Sequence, residues 1–290
     1  MGRDKKVEAA VLNITIHPHS KQKYIDIFYK MHEMKISSKI RDKSYGLIGW
    51  IDSIDGDDDE NGMHGEIYKY LNIDPFAPWL NKRSLEEVDI DSEKDKPPVS
   101  EEMKPHLEKI YFHFYPKKHR LIFNINKFSP ITATKFFESM LSDDTFSKDF
   151  NFSEVTIESK KEAIDSILRM HRLSWLEITI KRPNSDDDGE CNEKDILELL
   201  EEEHARTFFQ KKTAPRGESL KPNEETKKLM MVAKSNGKID AQGYNELDQR
   251  VKESTVNHPL IETISYDPER GSFTGAFREL ASVIMAKISS

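Results

Sequence analysis

The sequence predicts an α+β fold: a mixed, mainly antiparallel sheet with packed helices and a more helical C-terminal part. Three observations carry this. The run IYFHFY (110–115) alternates, a short turn follows, and RLIFNI (120–125) returns, which is a hairpin pattern. Apolar residues recur at helical spacing over 21–35, 130–141 and 272–288. A strand–helix–strand module fills 152–181 and stops at Pro183-Asn184.

The elements follow in order. Residues 7–16 (VEAAVLNITI) read as a strand that Pro18 ends, and Ser20 is placed to cap a helix over 21–35 carrying Tyr24, Ile27, Phe28 and Met31. Residues 44–51 and 63–73 read as two strands joined by an acidic, glycine-containing loop. Asp74-Pro75 and Ala77-Pro78 break regular structure, and Trp79 and Leu80 are expected to plug the core edge. The acidic stretch 86–104, with Pro97-Pro98, reads as a mobile loop.

The hairpin over 109–125 follows, with the basic turn Lys117-Lys118-His119-Arg120. Ser129 then Pro130 is the favoured order for opening a helix, here running to about Leu141 with Phe136 and Phe137 on its apolar face. Strand 152–158, helix 160–171 and strand 174–181 complete a domain over 1–183. The region 184–290, either free or packed on the first, is mainly helical. It has helices over 193–206, 223–235 and 272–288 and a strand over 259–266.

The 290 residues are 36% hydrophobic and 33% charged, with a net charge of -8. That average hides a division. The segments 52–60, 86–102 and 186–203 together hold about −21, so the remainder carries about +13. A basic body beneath acidic loops is suited to a polyanion. The single cysteine, Cys191, excludes an internal disulfide. The polar N-terminus and the lack of a long apolar run point to a cytoplasmic protein without a membrane segment.

No Gly-x-Ser-x-Gly, Gly-x-x-x-x-Gly-Lys-Ser/Thr or Gly-x-Gly-x-x-Gly motif occurs. His17, His19, His64, His113 and His119 read as strand-end and turn histidines rather than metal ligands. The leading expectation is a non-enzymatic nucleic-acid-binding protein, with DNA the first candidate. Lys117, Lys118, His119, Arg120, Lys181, Arg182, Lys211 and Lys212 are the contact residues, because cations neutralise phosphates and neighbouring aromatics stack on unpaired bases.

Two alternatives stay open. Glu158-Ser159-Lys160 at a strand end is an arrangement used by metal-dependent nucleases, with carboxylates on Mg²⁺ and the lysine on the attacked phosphate. Without that chemistry no cofactor is expected. The acidic loops otherwise suggest a sensor or inhibitor that binds a basic protein. The amphipathic last helix is either a core element or a partner or homodimer surface.

Four stretches together, LNITIHPH (12–19), HGEIYKY (64–70), FYPKKHRL (114–121) and ITIKRPN (178–184), resemble an uncharacterised prokaryotic domain-of-unknown-function family over about residues 7–265. That family has no assigned reaction and implies no catalytic residues. The order of hairpin, Phe-rich helix, strand–helix–strand and Lys-Arg-Pro is also similar to the RexA-like phage exclusion proteins. This second resemblance implies a DNA-associated, dimeric protein in anti-phage defence, acting with a second defence protein.

Overall fold

The computed structural model describes residues 4–54, 56, 61–88, 102–146, 148–184 and 191–288. Most of the acidic segments 52–60 and 86–102, and residues 186–190 of the third, therefore lie outside the described residues. The strands are β1 (Lys5–His17), β2 (Ser38–Arg41), β3 (Ser44–Ser53), β4 (Met63–Leu71), β5 (Trp79–Asn81), β6 (Glu86–Val88), β7 (Glu108–Tyr115), β8 (Arg120–Asn124), β9 (Phe152–Ile157), β10 (Arg172–Lys181), β11 (Thr207–Thr213), β12 (Gly237–Tyr244), β13 (Arg250–Ser254) and β14 (Ile261–Tyr266). The helices are α1 (Lys21–Glu33), α2 (Pro130–Leu141), α3 (Lys161–Leu168), α4 (Cys191–Glu202), α5 (Glu224–Asn236) and α6 (Phe273–Ile288).

The first sheet runs β14-β1-β8-β7-β4-β3-β2, antiparallel throughout. One edge of β1 is shared along its length: β14 pairs its N-terminal half and β9 its C-terminal half, from Leu12 to His17. The near-continuous apolar run of β1 has a physical cause, since both faces are covered. Ala10, Leu12, Ile14 and Ile16 join the core beneath α1 and α2, while Val7, Ala9 and Val11 join the core beneath α6. The caps form as expected: Ser20 accepts from the Lys23 N–H, and Ser129 from the Thr132 N–H with Pro130 in the first turn.

The second sheet runs β11-β10-β12-β13. Leu176, Ile178 and Ile180 of β10 and Ile239 of β12 pack against Ile164 and Ile167 of α3, Ile196 and Leu200 of α4, and Met230 and Ala233 of α5. Three strands of this region, β11, β12 and β13, escape the sequence pattern. β11 is half-exposed along its length, and β12 carries two glycines and an aspartate; both are set by pairing with β10. α6 spends its apolar face, Phe277, Leu280, Ala281 and Ile284, on its own sheet.

The expected plug at Trp79 and Leu80 is corrected. These residues form β5 of a small separate hairpin with β6, and Leu80 is 68% exposed. Two of the three residues of β5 are exposed, so the local turn chemistry of Asp74 and Asn81 shapes this segment rather than core burial.

Candidate nucleic-acid interface at the junction of the two sheets

The two sheets meet where β9 leaves β1. There the C-terminus of α5 presents carbonyls with no partner in its own helix. The first sheet supplies the donors. Asn13 Nδ2 and Thr156 Oγ1 donate to the Ser235 carbonyl at 3.3 and 2.6 Å, and the Ser159 N–H donates to the Lys234 carbonyl at 3.1 Å. Gly237 follows at once, because a Cβ there would lie 1.9 Å from the Thr179 carbonyl oxygen of β10.

Glu158 is the charged centre of this joint. Its backbone N–H donates to the Val11 carbonyl and its own carbonyl accepts from Leu260. The side chain is fully buried. It accepts the Ser235 hydroxyl at 2.7 Å and pairs with Lys234 at 3.3 Å and Arg120 at 3.2 Å. Two cations and a hydroxyl thus compensate one buried carboxylate. Lys160 sits at the N-cap of α3, half-buried, with its N–H donated to the His258 carbonyl. Among the described residues, no three His, Cys, Asp or Glu side chains are arranged to hold a metal ion.

A second acidic centre lies along β9. Glu154, also buried, binds Lys181 at 3.1 Å and the Arg206 guanidinium, which donates as well to the Ser153 carbonyl. The guanidinium groups of Arg206 and Arg182 lie 5.1 and 5.9 Å from the Phe152 ring, and the His17 ring stacks on that same ring at 4.5 Å. Arg182 also binds Glu201 at 2.6 Å.

From there a chain of rings reaches the β7–β8 turn. His17 Nε2 lies 3.2 Å from the Arg182 carbonyl. His17 meets His19 at 6.5 Å, and His19 meets His119 at 5.5 Å. The Tyr24 hydroxyl beside them accepts from the Ile16 N–H and from Asn184 Nδ2. Burial lowers His17 to about 4, the Arg182 charge adding to the effect and the hydrogen bond to the Arg182 carbonyl opposing it.

A family model described as a domain of unknown function matches residues 5–282. The chain belongs to the DUF4747 family. No curated protein and no solved structure matches it. The DUF4747 match spans both sheets and reaches into α6, so the joint at Glu158 lies inside it.

In this DUF4747 chain the turn at 117–120 is less basic at its surface than the sequence suggests. Lys117 is exposed and donates to Asn61 Oδ1, and Lys118 is half-buried. His119 is only 3% exposed, against Tyr24 and His19, and Arg120 turns inward to Glu158. Lys181 and Arg182 are gathered beside Arg206. Lys211 and Lys212 are not: Lys211 lies four positions along β11 from Thr207, the residue opposite Lys181. That is about 13 Å at the rise of a strand. Lys211 pairs with Glu177, and Lys212 donates to Thr226. Arg206, Phe152 and Glu154 were missed by sequence reasoning, since only the β1–β9 and β10–β11 registers unite them. No helix among the described residues is long and apolar enough to cross a membrane.

Proposed function

We propose that this protein binds nucleic acid, DNA in the first instance, through Lys181, Arg182 and Arg206 around Phe152, continued by Lys117 and Lys118 across the histidine contacts. The observation that carries this reading is the Phe152 cluster, in which cations from β10 and the β11 approach converge on one aromatic ring. Magnitudes choose the residues. A solvent-open ion pair is worth about 0.2–1 kcal/mol, so Arg182 can exchange the exposed Glu201 for a phosphate at small cost, while Arg206 can leave the buried Glu154 because Lys181 stays on it. Arg120 is itself only 12% exposed and lies against the fully buried Glu158, which leaves it in the frame rather than at the interface. Glu154 keeps Lys181 when Arg206 turns outward. The RexA-like order of features supports placing this binding in anti-phage defence.

The test is a salt titration of duplex and single-stranded DNA binding. Binding is expected to weaken steeply with salt, each phosphate contact contributing a slope of about −0.9 in log K against log salt on duplex. Lys117→Glu/Lys118→Glu and Arg206→Glu are each expected to weaken binding and flatten that slope. No binding by the wild type at low salt, or an unchanged slope in both variants, overturns the reading.

A further inference from the structure

A cleft of about 230 Å³ opens between α2 and the second sheet. Its floor is aliphatic, from Ile131 of α2 and Val155 and Ile157 of β9, and its rim carries Lys135 of α2, Lys181 of β10 and Lys238 of β12. Three lysines from three elements, distant in sequence, thus surround an apolar floor. Ile131 remains 46% exposed there, and Lys135 forms no ion pair among the described residues.

The charges at the rim can be set against each other. Lys135, Lys181, Lys238 and Arg206 face Glu138, Glu154 and Asp240; Lys181 and Arg206 share Glu154, and Lys238 binds Asp240 at 2.7 Å. One positive charge is left over. Glu138 also lines the cleft, and burial pushes its carboxyl up, with Lys181 opposing and Glu154 reinforcing.

We infer that this cleft is a binding site for a small aliphatic monocarboxylate, its head held by Lys135 and the neighbouring lysines and its chain laid on Ile131, Val155 and Ile157. One surplus positive charge matches one carboxylate, and the aliphatic floor, with no aromatic ring on it, suits an alkyl chain rather than a stacked base. The volume lies below the roughly 300–1,000 Å³ of drug-sized sites, which limits the ligand to a short chain. The site shares Lys181 with the proposed DNA contacts, while Lys135, Lys238 and Ile131 lie outside them.

The experiment is a titration of the full chain with hexanoate, followed by methyl NMR of Ile131, Val155, Ile157 and Val256. Saturable shifts of these methyls are expected, with hexanol and hexylamine at least about tenfold weaker, since both lack the anionic head. Lys135→Glu, an exposed change that spares the core, is expected to weaken hexanoate at least about tenfold and to leave the Arg206-dependent DNA binding in place. Lys238→Glu serves as a second variant of the same kind. Absence of saturable shifts, equal binding of hexanol, or unchanged affinity in both variants overturns the inference.

Discussion

Arg120 Nε lies 3.2 Å from Glu158 Oε2, in a place where the carboxylate is fully buried and the guanidinium side chain only 12% exposed. Lys234 and the Ser235 hydroxyl complete the surround. The consequence is unequal. Glu158→Gln leaves the half-buried Arg120 and Lys234 without their counter-ion and is expected to cost about 3–5 kcal/mol in urea unfolding. Arg120→Met leaves Glu158 with Lys234 and Ser235 and is expected to cost less. Equal and small effects, below about 1 kcal/mol, would show that the pair is not structural.

Gly237 makes a sharper case. A Cβ at this position meets backbone, the Thr179 carbonyl oxygen, which cannot swing aside as a side chain would. Gly237→Ala is expected to cost about 3 kcal/mol or more in thermal unfolding. A Tm within a degree of the wild type would contradict the close approach of α5 and β10.

Two buried histidines set an acid limit. Burial lowers His113 to about 3, with His64 and Arg278 adding to the effect, and lowers His17 to about 4. Both folded values lie below the unfolded value of about 6.5, so the unfolded chain binds more protons between them. The stability they contribute is present above pH 6.5 and is lost as pH falls toward 4 for His17 and toward 3 for His113. The slope approaches about 1.4 kcal/mol per pH unit for each fully desolvated histidine. His113→Asn is expected to flatten the decline between pH 6 and 4, measured by denaturant unfolding at stepped pH. An unchanged slope would place the acid sensitivity elsewhere.

Phe277 tests what α6 is for. It is fully buried, with its ring 5.1 Å from both Tyr111 and His113 on the first sheet. Phe277→Ala is expected to destabilise the chain by about 3–5 kcal/mol, independently of protein concentration. A loss that appears only on dilution would instead assign the α6 face to a second copy.

What the sequence discloses, and what it hides, follows from the range of the interactions. The β7–β8 hairpin and the Ser20 and Ser129 caps are legible because turn residues, capping residues and apolar spacing act within a few positions. β12 is not, because its glycines and aspartate oppose strand structure until β10 pairs with it. Glu158 is visible as a carboxylate near a lysine, yet its partners are Arg120 and Lys234, 38 positions before and 76 after it. No local pattern distinguishes a carboxylate that will meet solvent from one that a helix end will close over. The same holds for the turn at 117–120, whose charge is countable in sequence while the burial of His119 depends on α1.

The shared edge of β1 also has a bearing on how the chain is made. Lys5 pairs with Tyr266 and Ala10 with Ile261, across about 250 residues or more. During synthesis β1 emerges about 250 residues ahead of β14, so half of one of its edges waits until that strand is translated. For that interval its backbone donors and acceptors are open to any other extended chain. The nascent protein therefore has a period of exposure to strand capture and protease attack that ends only when β14 arrives. Ribosome-bound chains stopped before residue 261 are the material in which that exposure would be seen.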